Sequence, residues 1–211
     1  MHTVDEFIRS EIEDKILKLV KEIEEIHQEI VEEWSSKLGL SKPRVVVTLQ
    51  EVNECARDGA ICESDDLCKI ITGEYYPDTM TILLNYRATL DTLLHLYVHY
   101  IQSLQIGVDR FRQIREAERL RLPWSLRPTE IRAIALAKKL QDTLCTQRIV
   151  KLWSEYVKVR IRKIDEEIQR IRSCVKAALT QTMPYVHVRD IARRMLTSYD
   201  GSWTREDKDR L

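Results

Sequence analysis

Apolar residues recur at helical spacing through residues 4–38, at Ile12, Ile16, Leu19, Val20, Ile23, Ile30 and Trp34 among others, with charged residues between them. The pattern predicts one long amphipathic helix ending near Gly39. Beyond Pro43 the run Arg44–Leu49, with three consecutive valines, predicts a strand. The section 53–68 reads as loop or a short helix. Two β-rich runs, Lys69–Tyr76 and Thr79–Asn85, flank Pro77 and Asp78 and predict a hairpin. A helix is expected over roughly 87–105, then an arginine-rich loop to Pro123. Pro128 suits the first turn of the next helix, which carries Glu130, Ile131, Ile134 and Leu140. The stretch 146–180 predicts another long helix, and a short last one is expected near 187–197. No repeat or linker interrupts this order. The expectation is one α+β domain over residues 1–211: a small mixed sheet with its central helix, framed by long N- and C-terminal helices.

Charge changes this picture. The chain has no net charge, yet residues 1–36 carry 4 basic and 11 acidic side chains, residues 37–108 carry 6 and 9, and residues 109–211 carry 24 and 14. The acidic first helix and the basic last third are complementary, which favours their pairing or separate solvation. The alternative is a basic region, 146–211, that contacts nucleic acid. Against it, Glu155, Asp165, Glu166 and Glu167 interrupt the positive face of the long helix. The segment 173–197 also lacks a turn glycine that would mark a helix-turn-helix. Abundant Glu, Lys, Arg and Ile with only five glycines resembles the composition of hyperthermophile proteins. No long uncharged apolar run or signal-peptide order is seen, so a cytoplasmic location without membrane insertion is expected. Of the five cysteines, Cys55, Cys62 and Cys68 share one loop-like section, and Cys145 and Cys174 fall on predicted helices. A Cys62–Cys68 or Cys55–Cys68 bridge stands beside buried free thiols as the alternatives.

Candidate chemistry centres on the run Leu93-Leu94-His95-Leu96-Tyr97-Val98-His99-Tyr100. Four residues advance a helix by about 6 Å and little more than one turn, so His95 and His99 can meet one ion from the same face. A histidine pair without metal, satisfied by carboxylates or carbonyls, is the competing reading. A third ligand is expected on a helix packed across from the pair. Glu130 in the first turn of the helix after Pro128 qualifies, with Ala133 allowing close approach. Two histidines, a glutamate and an open fourth position make a catalytic rather than a structural zinc geometry. His2 and His27 are expected to be solvated and His187 to lie apart from the site. Trp34, Trp124, Trp153 and Trp203 read as packing or rim residues.

The hairpin G-x-Y-Y-P-D-T-x-T-I-x-L-N, the helix H-x-x-x-H-Y-x-Q and the downstream R-P-x-E-x-x-A together resemble the minimal zincin domain of gluzincin metallopeptidases, over residues 40–145. The resemblance implies His95, His99 and Glu130 as zinc ligands and Thr81–Asn85 as the edge strand beside the substrate cleft. Tyr100 and Gln102 are weaker matches. Leu96 departs from the family pattern, because the general-base glutamate of H-E-x-x-H belongs there and leucine cannot accept a proton. Asp91 and Tyr97 are poorly directed substitutes. The leading expectation is a pseudo-peptidase that holds zinc and captures an extended peptide or protein partner by strand addition. The alternatives are an active zinc hydrolase with a displaced base, and a nucleic-acid-associated or assembly protein working through its charged helices.

Overall fold

The structure, a computed structural model, describes the backbone of residues 4–50, 52 and 72–180, and within these the side chains from residue 11 to residue 173. The periodic N-terminal segment forms helix α1 (Val4–Leu38). Gly39, at φ +64°, turns the chain out of it through the left-handed region that glycine enters without strain. The chain groups into two compact units, Lys18–Ile161 and residues 1–17 with 162–211.

In the larger unit, strands β1 (Arg44–Thr48), β2 (Gly73–Tyr76) and β3 (Thr81–Asn85) form a mixed sheet in the order β1-β3-β2. β1 runs parallel to β3, with Val45 opposite Ile82 and Val47 opposite Leu84. β2 runs antiparallel to β3, with Tyr75 opposite Ile82, and completes the expected hairpin. Because side chains alternate across a sheet, this register gathers Val45, Val47, Tyr75, Ile82 and Leu84 on one buried face. One expectation fails here. Thr81–Asn85 is the central strand, hydrogen-bonded on both sides, and so cannot receive a peptide by strand addition. The outer edge of β1 is also occupied: Val45 N donates to Gln28 Oε1 and Val47 N to Glu24 Oε2 of α1, each at 2.8 Å.

Helix α2 (Leu90–Ile106) packs on the sheet. Thr89 caps it by accepting a hydrogen bond from Thr92 N at 3.1 Å. Nine of its residues are buried and lie on every side, from Leu93 and Leu94 to Tyr100, Ile101 and Ser103. Gly107, at φ +88°, separates it from α3 (Val108–Arg121). This segment was expected to be an arginine-rich loop. It is helical because its charges pair along the helix, Arg112 with Asp109 and Arg119 with Glu116, while Phe111 alone is buried. A 3₁₀ turn (Trp124–Leu126) leads to α4 (Pro128–Leu144), where Pro128 occupies the first turn as expected. Ala133 is fully buried on α4, which packs against α2. At the far end, Trp34 of α1 donates its indole N–H to Leu144 O at 2.8 Å.

The predicted helix over 146–180 forms, with one π-helical turn inside it. It comprises α5 (Gln147–Leu152), a π-helical turn (Trp153–Val157) and α6 (Lys158–Thr180). Cys145 is the residue that ends α4 rather than one inside a helix, and its thiol is free, with burial pushing its pKa up. The expected helix at 187–197, His2, His187, Trp203, the pairing of Cys55, Cys62 and Cys68, and the Cys174 side chain lie outside the described residues. No helix among the described residues is long and apolar enough to cross a membrane.

The complementary charges do pair. Inside the larger unit Arg148 reaches Glu29 at 3.0 Å and also Glu33, and Arg160 reaches Glu22 at 2.6 Å. In the smaller unit Ile16 and Ile164 are buried, and Glu167 takes both Lys15 and Arg170. The Arg148–Glu29 pair is exposed on both sides and contributes roughly 0–1 kcal/mol, so it orients the helices more than it holds them.

His27 departs furthest from expectation. It is fully buried instead of solvated. Trp153, on the π-helical turn, donates its indole N–H to His27 Nε2 at 3.3 Å, and His27 Nδ1 has no partner among the described residues. Burial lowers its pKa to about 4. An unfolded chain takes up a proton at His27 near pH 6.5, whereas the folded one resists until about pH 4. This residue therefore supports the fold fully above pH 6.5, and its contribution declines by about 3 kcal/mol as the pH falls to 4. Urea denaturation of the protein and of His27→Leu across that range is expected to show a shallower loss of stability in the variant. Parallel curves would assign the acid sensitivity elsewhere.

Candidate metal centre

His95 and His99 sit in the middle of α2, one turn apart. Glu130 enters from the first turn of α4, where an acidic side chain also complements the helix dipole. The expected ligands converge. Glu130 Oε2 lies 2.9 Å from His95 Nε2 and 3.0 Å from His99 Nε2, and the two Nε2 atoms are 3.1 Å apart. These three residues form a group that can hold a metal ion. The side chains of His99 and Glu130 are buried, at 1% and 2% exposure, while His95 retains 19%.

The hydrogen-bond network fixes the chemistry of His99. Gln102 donates its amide N–H to Thr129 O at 3.2 Å, which turns its carboxamide oxygen toward His99 Nδ1 at 2.8 Å. His99 Nδ1 must then carry the proton, and the Nε2 lone pair faces Glu130 and His95. Burial lowers the His99 pKa, and the charge of Arg115 lowers it further, against the opposing effect of Glu130. Burial by itself would raise the Glu130 carboxyl. Contact with His99, His95 and Arg115 outweighs it and holds the group below the usual carboxylate range, ionised. In the neutral tautomer of His99, lone pairs on His99 Nε2 and Glu130 Oε2 face each other across 3.0 Å in a buried setting, whereas a protonated His99 pairs with Glu130 there.

Helix α3 supports this arrangement with residues that the sequence reading did not single out. Arg115 donates to Glu130 Oε1 at 3.0 Å, leaving Oε2 for the histidine pair. Glu118 accepts from Thr129 N at 3.2 Å and from its hydroxyl, capping the first turn of α4 that carries Glu130. Phe111 backs His99 with ring centres 5.9 Å apart. The spacing of Arg112, Arg115, Glu116, Glu118 and Arg119 at helical intervals was the available signal. Trp124, expected as a packing or rim residue, lies beside His95 with ring centres 6.1 Å apart and is 40% exposed.

Leu96, in the position where the resemblance expects a base, is 5% exposed and packs on the sheet. A Cβ added at Gly73 would meet Leu96 Cδ1 at 2.7 Å, Leu84 Cδ2 at 2.8 Å and Leu83 O at 2.7 Å, so leucine and glycine fit against each other. The two candidate substitute bases have other surroundings. Tyr97 is fully buried and shares a 3.0 Å hydrogen bond with Ser35 of α1. Asp91 is exposed, and its charge acts on Cys145 at the end of α4.

Leu96→Glu introduces a carboxylate among apolar neighbours and is expected to lower stability by roughly 2–5 kcal/mol in metal-free protein, while Leu96→Met changes it by less than about 1.5 kcal/mol. Equal urea midpoints for the two variants would show that the side chain at 96 reaches solvent. Compared with protein-family models, curated proteins and solved structures, the chain matches none of them.

Proposed function

We propose that this chain is a zincin-like metal-binding module without peptidase activity, holding zinc through His95, His99 and Glu130. One observation carries the reading. In the neutral tautomer that the Gln102 contact selects, His99 Nε2 and Glu130 Oε2 confront each other at 3.0 Å with a lone pair on each. A cation relieves all three contacts at once. Two imidazoles and one carboxylate suit zinc, whose bonds to such ligands are about 2.0–2.2 Å. His95 Nε2, His99 Nε2 and Glu130 Oε2, 2.9–3.1 Å from one another, would hold the ion, and three protein ligands are the number that catalytic zinc sites use with a fourth position left for water or a ligand.

Lack of peptidase activity follows from position 96. A general base contributes roughly 10²–10⁴ in rate, and Leu96 offers none. The alternative of an active hydrolase needs a base that Asp91 and Tyr97 do not supply from their places. The nucleic-acid reading is weakened by the engagement of Arg148, Arg160 and Arg170 with acidic side chains, and by Lys158 lying over the Trp153 ring at 5.2 Å.

Untagged protein purified without added metal is expected to contain about one zinc per chain, and His95→Ala/His99→Ala none. Restoring zinc to chelated wild-type protein at a hundred times its dissociation constant should add about 2.7 kcal/mol of stability, with no gain in the double variant. Peptide and casein hydrolysis should stay at background in the zinc-loaded protein. Chelator-sensitive turnover that disappears in the double variant would establish the hydrolase instead.

A further inference from the structure

We propose that the open position at His95, His99 and Glu130 receives a carboxylate borne on an apolar group, selected by Arg115 and Trp124. This inference rests on the metal reading above. Charge is the first argument. A bound dication, the Glu130 carboxylate and the Arg115 guanidinium leave a net charge of two plus in a site whose innermost side chains are almost wholly buried. Among the described residues no second carboxylate hydrogen-bonds to either histidine, to Glu130 or to Arg115. The usual outer partner of a metal ligand makes it more basic, but a guanidinium on Glu130 withdraws its electron density and leaves the metal more electrophilic. Low local dielectric magnifies the imbalance, and an anionic fourth ligand corrects it.

Access supplies the second argument. Of the three ligand side chains only His95 meets solvent appreciably, at 19%, and the half-exposed indole of Trp124 stands beside it. Leu120 and Leu126, at 49% and 58% exposure, flank Trp124 in sequence. A ligand that reaches the ion from this side passes an aromatic face, and a carboxylate with an apolar body satisfies both the charge and the wall. Without a base at position 96 a bound carboxylate is held and not processed.

The test uses cobalt(II) in place of zinc, so that ligand exchange is read from visible absorption and not from activity. Acetate and 3-phenylpropionate are each titrated into the cobalt-loaded full chain. Both are expected to change the spectrum, 3-phenylpropionate binding at least tenfold more tightly. Arg115→Gln should keep one cobalt per chain while weakening acetate at least tenfold, and Arg115→Lys should recover part of that loss. Trp124→Ala should remove the advantage of 3-phenylpropionate and leave acetate unchanged. Should Arg115→Gln not fold, the shortfall of Arg115→Lys against wild type carries the comparison. Tighter binding of Gly-Gly-Phe than of 3-phenylpropionate supports a peptide C terminus as the source, and the reverse order supports a small free acid. A cobalt spectrum indifferent to both carboxylates, or unchanged acetate affinity in both Arg115 variants, overturns the inference and leaves the metal reading standing. Failure to take up cobalt overturns both.

Discussion

A helix buried on every side cannot leave its polar side chains to water, and that constraint on α2 organises the larger unit. The polar groups it carries inward are answered largely by neighbouring elements. Tyr97 meets Ser35 on α1, Tyr100 meets Ser41 in the following turn, and the Tyr75 and Ser103 hydroxyls meet across β2 and α2. Gln102 and the two histidines turn to the start of α4. The candidate metal centre is the most demanding case of this general requirement, since three electron-rich atoms converge where ordinary hydrogen bonding satisfies at most part of them.

The same requirement explains what could be read from sequence. The hairpin, the histidine helix and the Glu130 helix announced themselves through periodicity, turn residues and a proline at a helix start. The convergence of His95, His99 and Glu130 followed from helical spacing once two helices were assumed to pack. What stayed hidden has a common cause: its signal lies in charge spacing or tertiary burial and not in apolar periodicity. Helix α3 buries a single residue and so presents no apolar stripe, and Arg115 and Glu118 were lost with it. The order of strands depends on which of two neighbours β3 joins, and a local pattern is the same for a central and an edge strand. His27 stands among charged residues in sequence and yet is covered by Trp153, more than a hundred residues away.

Position 96 shows how a functional position and a packing position can be the same. On the family resemblance a carboxylate belongs there, facing bound water. In this chain the leucine fits the space left by the absent side chain of Gly73, a space that Leu84 and the Leu83 carbonyl also border. The residue is a full member of the hydrophobic core. On the proposed reading, metal binding and the absence of hydrolysis are compatible because the ligands and the position of the base face different requirements, one for lone pairs and the other for dispersion contacts.

The two side chains that α1 places along β1 have a meaning for the folding chain. Glu24 and Gln28 occupy the outward N–H groups of Val45 and Val47. A partly unfolded state in which α1 has left the sheet exposes those donors on the strand Arg44-Val45-Val46-Val47-Thr48, short, rich in β-branched residues and without acidic guards. Such an edge pairs readily with another chain. Glu24 and Gln28 thus keep this edge paired within the folded chain, so its outward donors are not offered to another chain while α1 stays in place.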